Sequence, residues 1–192
     1  DDFNTKRKAI FLDRDGVIIK DMHYIVNPKD VKLLPGAKEL LSKSNELGWA
    51  NIVISNQSGI DRGFLTWKDY ENVTEKMIIE IGQPCLIEGI YANSNKPSEV
   101  LQKDNWRKPN PNMIIEAANK FNLNISESII VGDRLSDLLS GYRAGIKKFV
   151  HVMTGHGINE RNKIKNKLLI ELQENNLYLI DDLTEFPIKK LI

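Results

Sequence analysis

Short apolar runs alternate with longer stretches in which apolar residues recur at helical spacing. Ala9-Ile10-Phe11-Leu12, Asn51-Ile52-Val53-Ile54, Leu86 to Tyr91, Ser128-Ile129-Ile130-Val131 and Phe149-Val150-His151-Val152 read as five strands. Between them, Pro35-Gly36 opens a helix with Leu40, Leu41, Ser44 and Leu47 on one face, and Gly48 stops it. Thr66, with Asp69 three residues on, looks like an N-cap for a helix running towards Ile81. Asn110-Pro111 starts another, with Ile114, Ile115, Ala118 and Phe121 on one face. A helix from about Ser136 to Ala144 ends at Gly145, and an amphipathic, basic stretch spans Asn159 to Asn175 before a short closing segment. Strands alternating with helices predict βαβ units, hence an α/β, doubly wound (Rossmann-like) parallel sheet.

The polar residues follow the strands. Asp13 and Asp15, Ser55, and Asp133 each stand just past the carboxyl end of a predicted strand. In doubly wound sheets that edge is where ligands bind, so these residues are expected to converge on one site.

Composition narrows the classes. The chain has 192 residues, which at roughly 150 per domain reads as a single domain over 1–192. A chain of this size buries about 70% of its unfolded surface and needs no disulfide or metal to fold. The single cysteine, Cys85, cannot form an internal disulfide and reads as a small apolar residue beside a strand. Twenty-seven basic residues against 26 acidic ones leave a formal charge of +1, which favours neither nucleic acid nor an acidic membrane as a partner. No apolar run approaches the 18 or so residues of a membrane span and no signal peptide is apparent, so a soluble, cytoplasmic protein is expected. The sequence does not open on Met, and Asp1 to Lys8 read as a flexible or added start.

Asp13-Arg14-Asp15-Gly16 sets two carboxylates two residues apart at a strand end, with a glycine that permits the turn. One aspartate can attack phosphorus and form an acyl phosphate, and the other can protonate the leaving oxygen and later deprotonate water. So much negative charge would repel a phosphate without a cation, and an all-oxygen donor set favours Mg²⁺. Asp133 and Asp137 can supply further carboxylates, while Ser55 and Lys108 can hold phosphoryl oxygens. Each motif alone has a plainer reading: a turn, a polar loop, a solvated lysine, a helix cap. Together and in this order they point to phosphoryl chemistry.

The same order resembles the haloacid dehalogenase (HAD) superfamily of phosphatases, and within it the D,D-heptose 1,7-bisphosphate and histidinol-phosphate phosphatases. The matching stretches are Phe11 to Ile18, Ser55 to Ile60, Arg62-Gly63, Arg107 to Pro111, Val131 to Asp137 and Met153-Thr154-Gly155. The resemblance implies that Asp13 is the nucleophile and Asp15 the general acid/base. It implies Mg²⁺ on the carboxylate of Asp13, the backbone carbonyl of Asp15 and the carboxylate of Asp133, with Asp137 orienting from behind. Ser55 and Lys108 would stabilise the transferring phosphoryl group. Asp21, Met22, His23 and Tyr24, the stretch Ser55, Asn56, Gln57 and Ser58, and Arg107, Lys108 and Arg134 fall where the family contacts substrate. A second, non-reacting phosphate would account for two arginines there. The chain leaves no span long enough for a separate cap domain, so short loops are expected to define the pocket.

The family's heptose enzymes commonly carry a zinc loop of three cysteines and a histidine before the Arg-Lys-Pro. Here Tyr91 to Trp106 contains neither residue, so no zinc is expected, and Trp106 and Pro97 are candidates to hold the loop instead. The implied partner is a small phosphorylated metabolite, most simply a sugar bisphosphate used in making lipopolysaccharide heptose, handled by a monomer. Histidinol phosphate is the alternative substrate. A polynucleotide 3′-phosphatase lacks support from charge or aromatic residues, and an inactive scaffold is at odds with retention of every motif. His23 is shared between a loop and a substrate reading, and His151 reads as packed. His156 has no assigned role, Trp49 and Trp67 read as packing, and Arg161 to Lys167 as a solvated helix face.

Overall fold

Ala9–Leu12 forms strand β1, and all four of its residues are buried. A strand buried on both faces requires helices on both sides of its sheet, and the chain supplies them. The computed structural model describes residues 5–84, 86–97, 104–172 and 176–192, so the reading of Cys85 lies outside the described residues. Following β1 come α1 (Ala37–Glu46), β2 (Ala50–Asn56), α2 (Ser58–Asp61), α3 (Trp67–Ile81) and β3 (Gly89–Asn93). Then come α4 (Asn112–Phe121), β4 (Ile129–Gly132), α5 (Leu135–Ala144), β5 (Lys148–His151), α6 (Gly157–Glu171), β6 (Leu177–Leu179) and α7 (Ile188–Leu191).

The six strands are all parallel, in the order β3-β2-β1-β4-β5-β6. The winding reverses between β1 and β4, so their carboxyl ends flank the switch point where such sheets hold ligands. Asp13 and Asp133 are the residues that leave those two ends. Alternate side chains of β1 feed two cores. Ile10 and Leu12 pack with Leu40, Leu41, Val73 and Met77 from α1 and α3. Ala9 and Phe11 pack with Met113, Ile114, Leu138, Ile164 and Leu168 from α4, α5 and α6.

Four expectations change. A sixth strand, β6, extends the sheet beyond β5; at three residues on an edge it is too short to show a period in sequence. The third strand starts at Gly89 rather than Leu86, because Asn51 intercepts the approach to it. On α4 the buried face is Met113, Ile114, Ala117 and Ala118, whereas Ile115 is exposed, so the helix is turned from the predicted face. Arg7 and Lys8, read as part of a flexible start, are tied in: Arg7 N–H donates to Asn122 and Lys8 accepts from Ala50. Among the described residues no helix is long and apolar enough to cross a membrane.

Asn51 interrupts the apolar run of β2 well before its polar end at Ser55 and Asn56, and it is fully buried. Its Nδ2 donates to the carbonyls of Leu41 (2.9 Å) and Leu86 (2.8 Å), and its Oδ1 accepts from Ser44 Oγ at 2.5 Å. One side chain therefore fastens α1, β2 and the entry to β3. Asn51→Val keeps strand propensity but takes the side-chain donor from the Leu86 carbonyl and one partner from Ser44 Oγ, which is left with the Leu41 carbonyl. We expect a loss of roughly 2–4 kcal/mol in a urea melt; a change within 0.5 or so would place those groups in contact with water.

Candidate active site

The turn after β1 sets out the first carboxylates. Asp13 Oδ1 accepts the Arg14 backbone N–H at 2.7 Å and lies 3.4 Å from Lys108 Nζ. Lys108 is buried, donates to the Ile54 carbonyl at 2.8 Å, and pairs with Asp137 Oδ1 at 2.7 Å. Its backbone is clamped by Asn56, whose Oδ1 accepts Lys108 N–H (2.9 Å) and whose Nδ2 donates to Lys108 C=O (3.1 Å). Gln57 Nε2 donates to both Ser55 Oγ (2.7 Å) and Asp15 Oδ2 (2.8 Å). Asn56 and Gln57, expected as substrate contacts, thus also build the frame, while both still line the cleft.

Asp133 leaves β4 opposite Asp13. Its Oδ2 accepts the His156 backbone N–H at 2.8 Å, while its buried Oδ1 has no hydrogen-bond partner among the described residues. Oxygens of Asp13, Asp133 and Asp137 lie within 4.8 Å of one another. Gly16 (φ 84°) and Gly155 (φ 59°) pass directly beside Asp133; a Cβ on Gly16 would stand 2.6 Å from Asp133 Oδ2. Only glycine permits that approach in that conformation. Three carboxylates around one ammonium, with an orphaned buried oxygen among them, fit a hard divalent cation.

The electrostatics follow. Burial, then the neighbouring carboxylates, push Asp133 far above the usual carboxylate range, and burial with Asp137 and Asp15 raises Asp13 against the pull of Lys108. Burial also works against Asp137, but Lys108 outweighs it and holds that carboxylate low. Asp13 and Asp137 in turn raise Lys108 against its burial. Behind Asp133, His151 is packed as expected but has a definite task. Its Nδ1 accepts from Arg161 Nε (2.7 Å), so its Nε2–H donates to the Asp133 carbonyl (2.8 Å). Burial lowers its pKa to about 4, which keeps this neutral tautomer.

Above this floor opens a cleft of about 270 Å³. Asp21, His23, Tyr24 and Ser58 line it, while Met22 faces an adjoining cavity that Asp21 and His23 also border. His23 and Tyr24 both take left-handed backbone conformations (φ 53° and 65°), and the Tyr24 ring lies 4.9 Å from Phe64. Asp21 fixes this turn: one oxygen accepts His23 N–H, the other lies 2.9 Å from His156 Nε2. Arg107 and Arg134 share the cleft with Arg62, whose place the motif Ser58-Gly-Ile-Asp-Arg-Gly had marked without giving it a role. None of the three has a carboxylate partner among the described residues, and burial, then Arg134 and Arg62, lower the Arg107 pKa. His156, with no role assigned in sequence, lines the cleft as well; a histidine between two glycines carries no pattern that would give it one.

The loop before Arg107 is held differently from expectation. Trp106 is 36% exposed, whereas Asn105 is buried. Asn105 Oδ1 accepts from Arg107 N–H (2.9 Å) and Asn95 Nδ2 (3.1 Å), and its carbonyl accepts from Asn110 Nδ2 (2.8 Å). Arg107 Nη1 closes the set on the Asn95 carbonyl at 2.9 Å. Pro97 lines the cleft, and residues 98–103 lie outside the described ones.

Comparison with known proteins agrees with this geometry. The HAD-hydrolase-like family profile matches residues 105–186. The D-glycero-beta-D-manno-heptose-1,7-bisphosphate 7-phosphatase of Helicobacter pylori (strain J99) is 38% identical over 147 residues, 74% of this chain and 82% of the relative. The chain belongs to the HAD-like phosphatases. The D-glycero-alpha-D-manno-heptose-1,7-bisphosphate 7-phosphatase of Photorhabdus laumondii is 36% identical over 187 residues, covering 95% of this chain and 99% of its own. In structure, the family is represented by the D,D-heptose 1,7-bisphosphate phosphatase of B. bronchiseptica complexed with magnesium and phosphate. It matches with a TM-score of 0.81 and 26% identity over 96% of this chain and 98% of that one.

The crowded carboxylates make a stability prediction. In a chelator, Asp133→Asn removes a carboxylate from a pocket with one ammonium for three acids, and should melt higher than the parent. A gain of about 1–2 kcal/mol corresponds to roughly 2–8 °C for a domain of this size. A lower melting temperature in calorimetry would mean that the Asp133 charge is satisfied without an ion.

Proposed function

We propose that this chain is a Mg²⁺-dependent phosphomonoesterase that removes the 7-phosphate of D-glycero-D-manno-heptose 1,7-bisphosphate through an aspartyl-phosphate. It would act as a cytoplasmic monomer on this small metabolite, supplying heptose for lipopolysaccharide. The observation that carries the reading is the buried Lys108 ammonium between Asp13 and Asp137 at the switch point, beneath a cleft holding three guanidiniums with no carboxylate partner among the described residues. The relatives' activity on heptose bisphosphates gives the substrate.

In this reading the Arg14 N–H and Lys108 orient Asp13, which attacks the 7-phosphorus. Asp15 gives its proton to the departing sugar oxygen and then takes one from the water that hydrolyses the acyl phosphate. Lys108 and Ser55 stabilise the charge on the phosphoryl oxygens as it shifts. Asp13, Asp133 and the Asp15 carbonyl would hold Mg²⁺, which supplies the positive charge that lets a phosphate approach three carboxylates. Arg62, Arg107 and Arg134 grip the second phosphate, so that binding energy away from the reacting end orients it.

The test is kcat/KM on both anomers of heptose 1,7-bisphosphate against histidinol phosphate. We expect a preference of at least about 100-fold for a bisphosphate, of the order that one charged recognition group confers; a preference for histidinol phosphate would reverse the assignment. Asp13→Asn should abolish turnover on all of them, and near-parental hydrolysis would exclude the covalent route. Arg107→Ala should raise KM for the bisphosphate by roughly 10- to 100-fold, with little change for a simple phosphomonoester. Equal losses on both would remove Arg107 from the second-phosphate site.

A further inference from the structure

Arg14 is the member of the Asp13-Arg14-Asp15-Gly16 turn that the assignment above leaves with no side-chain role. Its guanidinium is buried completely, although a buried guanidinium is costly and an apolar residue would fill the same space. Every donor face is occupied. Nε lies 3.2 Å from Asp15 Oδ2 and Nη2 lies 3.2 Å from Asp15 Oδ1, a fork that engages both carboxylate oxygens. Nη1 donates to Thr74 Oγ1 at 2.9 Å and to the Tyr70 carbonyl at 3.4 Å, both on α3. The guanidinium carbon sits 4.6 Å from the centre of the Tyr70 ring. The cation is therefore built into α3, and what it presents to the site is a rigid, planar grip on one carboxylate.

Asp15 needs such a grip. It lies within the turn and keeps a fifth of its side chain exposed at the cleft, so packing does not enclose it and its polar partners must hold it. Gln57 adds a donor to Oδ2 at 2.8 Å, but that amide is shared with Ser55. We propose that Arg14 is a positioning residue, which fixes the plane of the Asp15 carboxyl for proton transfer and ties that orientation to helix α3. The proposal rests on the aspartyl-phosphate reading above.

Its consequences differ between the two half-reactions. In the first, a bond forms from an Asp13 oxygen to phosphorus, the bond from phosphorus to the leaving oxygen breaks, and the Asp15 proton passes to that oxygen. In the second, water oxygen bonds phosphorus, the Asp13 oxygen departs, and the proton lost by water returns to Asp15. A sugar alkoxide needs the proton to leave, whereas p-nitrophenolate does not. Hydrolysis of the acyl phosphate needs Asp15 for either ester.

Arg14→Lys keeps the charge and loses the fork; Thr74→Val, outside the cleft, removes the shorter of the two hydrogen bonds that hold Arg14 to α3. For Arg14→Lys we expect kcat on the sugar phosphate to fall by ~100-fold, the scale of a mispositioned proton-transfer group, with KM within about twofold. With p-nitrophenyl phosphate in stopped flow, its phosphorylation step should stay within about threefold while hydrolysis slows, so a stoichiometric burst of p-nitrophenolate appears. Thr74→Val should show the same split at roughly 5- to 10-fold. Parallel losses in both half-reactions, or parental kinetics in Thr74→Val, overturn the proposal, even where Arg14→Lys fails to fold. Turnover by Asp13→Asn would instead overturn the underlying reading, whatever the two positioning variants do.

Discussion

The Lys108 ammonium is the charge around which this edge of the sheet is organised. It is buried, bonded to the Ile54 carbonyl of β2, and set between Asp13 of the β1 turn and Asp137 of α5. Without a fixed cation, three carboxylates could not ionise together in a space this small and dry, because each would hold the others protonated. Asn56 fixes the cation from the backbone side, bonding both peptide groups of Lys108. The loop that carries Lys108 is thereby keyed to the strand that carries Ser55. Charge balance and chain geometry are one constraint here.

Around that centre the supports come in layers. Asp133 is positioned by the His156 N–H in front and His151 behind, and His151 takes its tautomer from Arg161 on α6. Arg14 couples Asp15 to α3 on the opposite face of the sheet. Helices from both sides thus reach the carboxylates through buried nitrogen donors, while the apolar cores set the strands. The cleft wall, by contrast, rests on loops, with Arg62 and Arg134 exposed and Arg107 half-buried.

Much of the floor was legible in sequence because its residues follow apolar strands directly: Asp13, Ser55 and Asp133 stand at or just past strand ends, where a parallel sheet must converge. The supports were less legible. Asn56 and Gln57 fit equally well as ligand contacts or framework, since an amide serves either use. Arg62 caps the end of the short helix α2, too brief to register as a period, and β6 is an edge strand of three residues. The face of α4 was misread because Ile115 is as apolar as the residues that pack; only the sheet it meets decides that Met113 and Ala117 turn inward. His156 acts largely through its backbone N–H, which every residue type but proline possesses.

The asparagine cluster before Arg107 has a consequence of its own. Amides neither titrate nor oxidise in the physiological range, and they bind no ion that a competitor could strip away. A thiolate-and-imidazole site would tie this wall to redox state, acidity and metal supply. The bonds among Asn95, Asn105, Asn110 and Arg107, which join the described residues of this wall, answer to none of them. Such bonds contribute only about 1 kcal/mol each, where a structural zinc site supplies on the order of 10. These bonds are therefore indifferent to their surroundings, yet each can be lost to a single substitution.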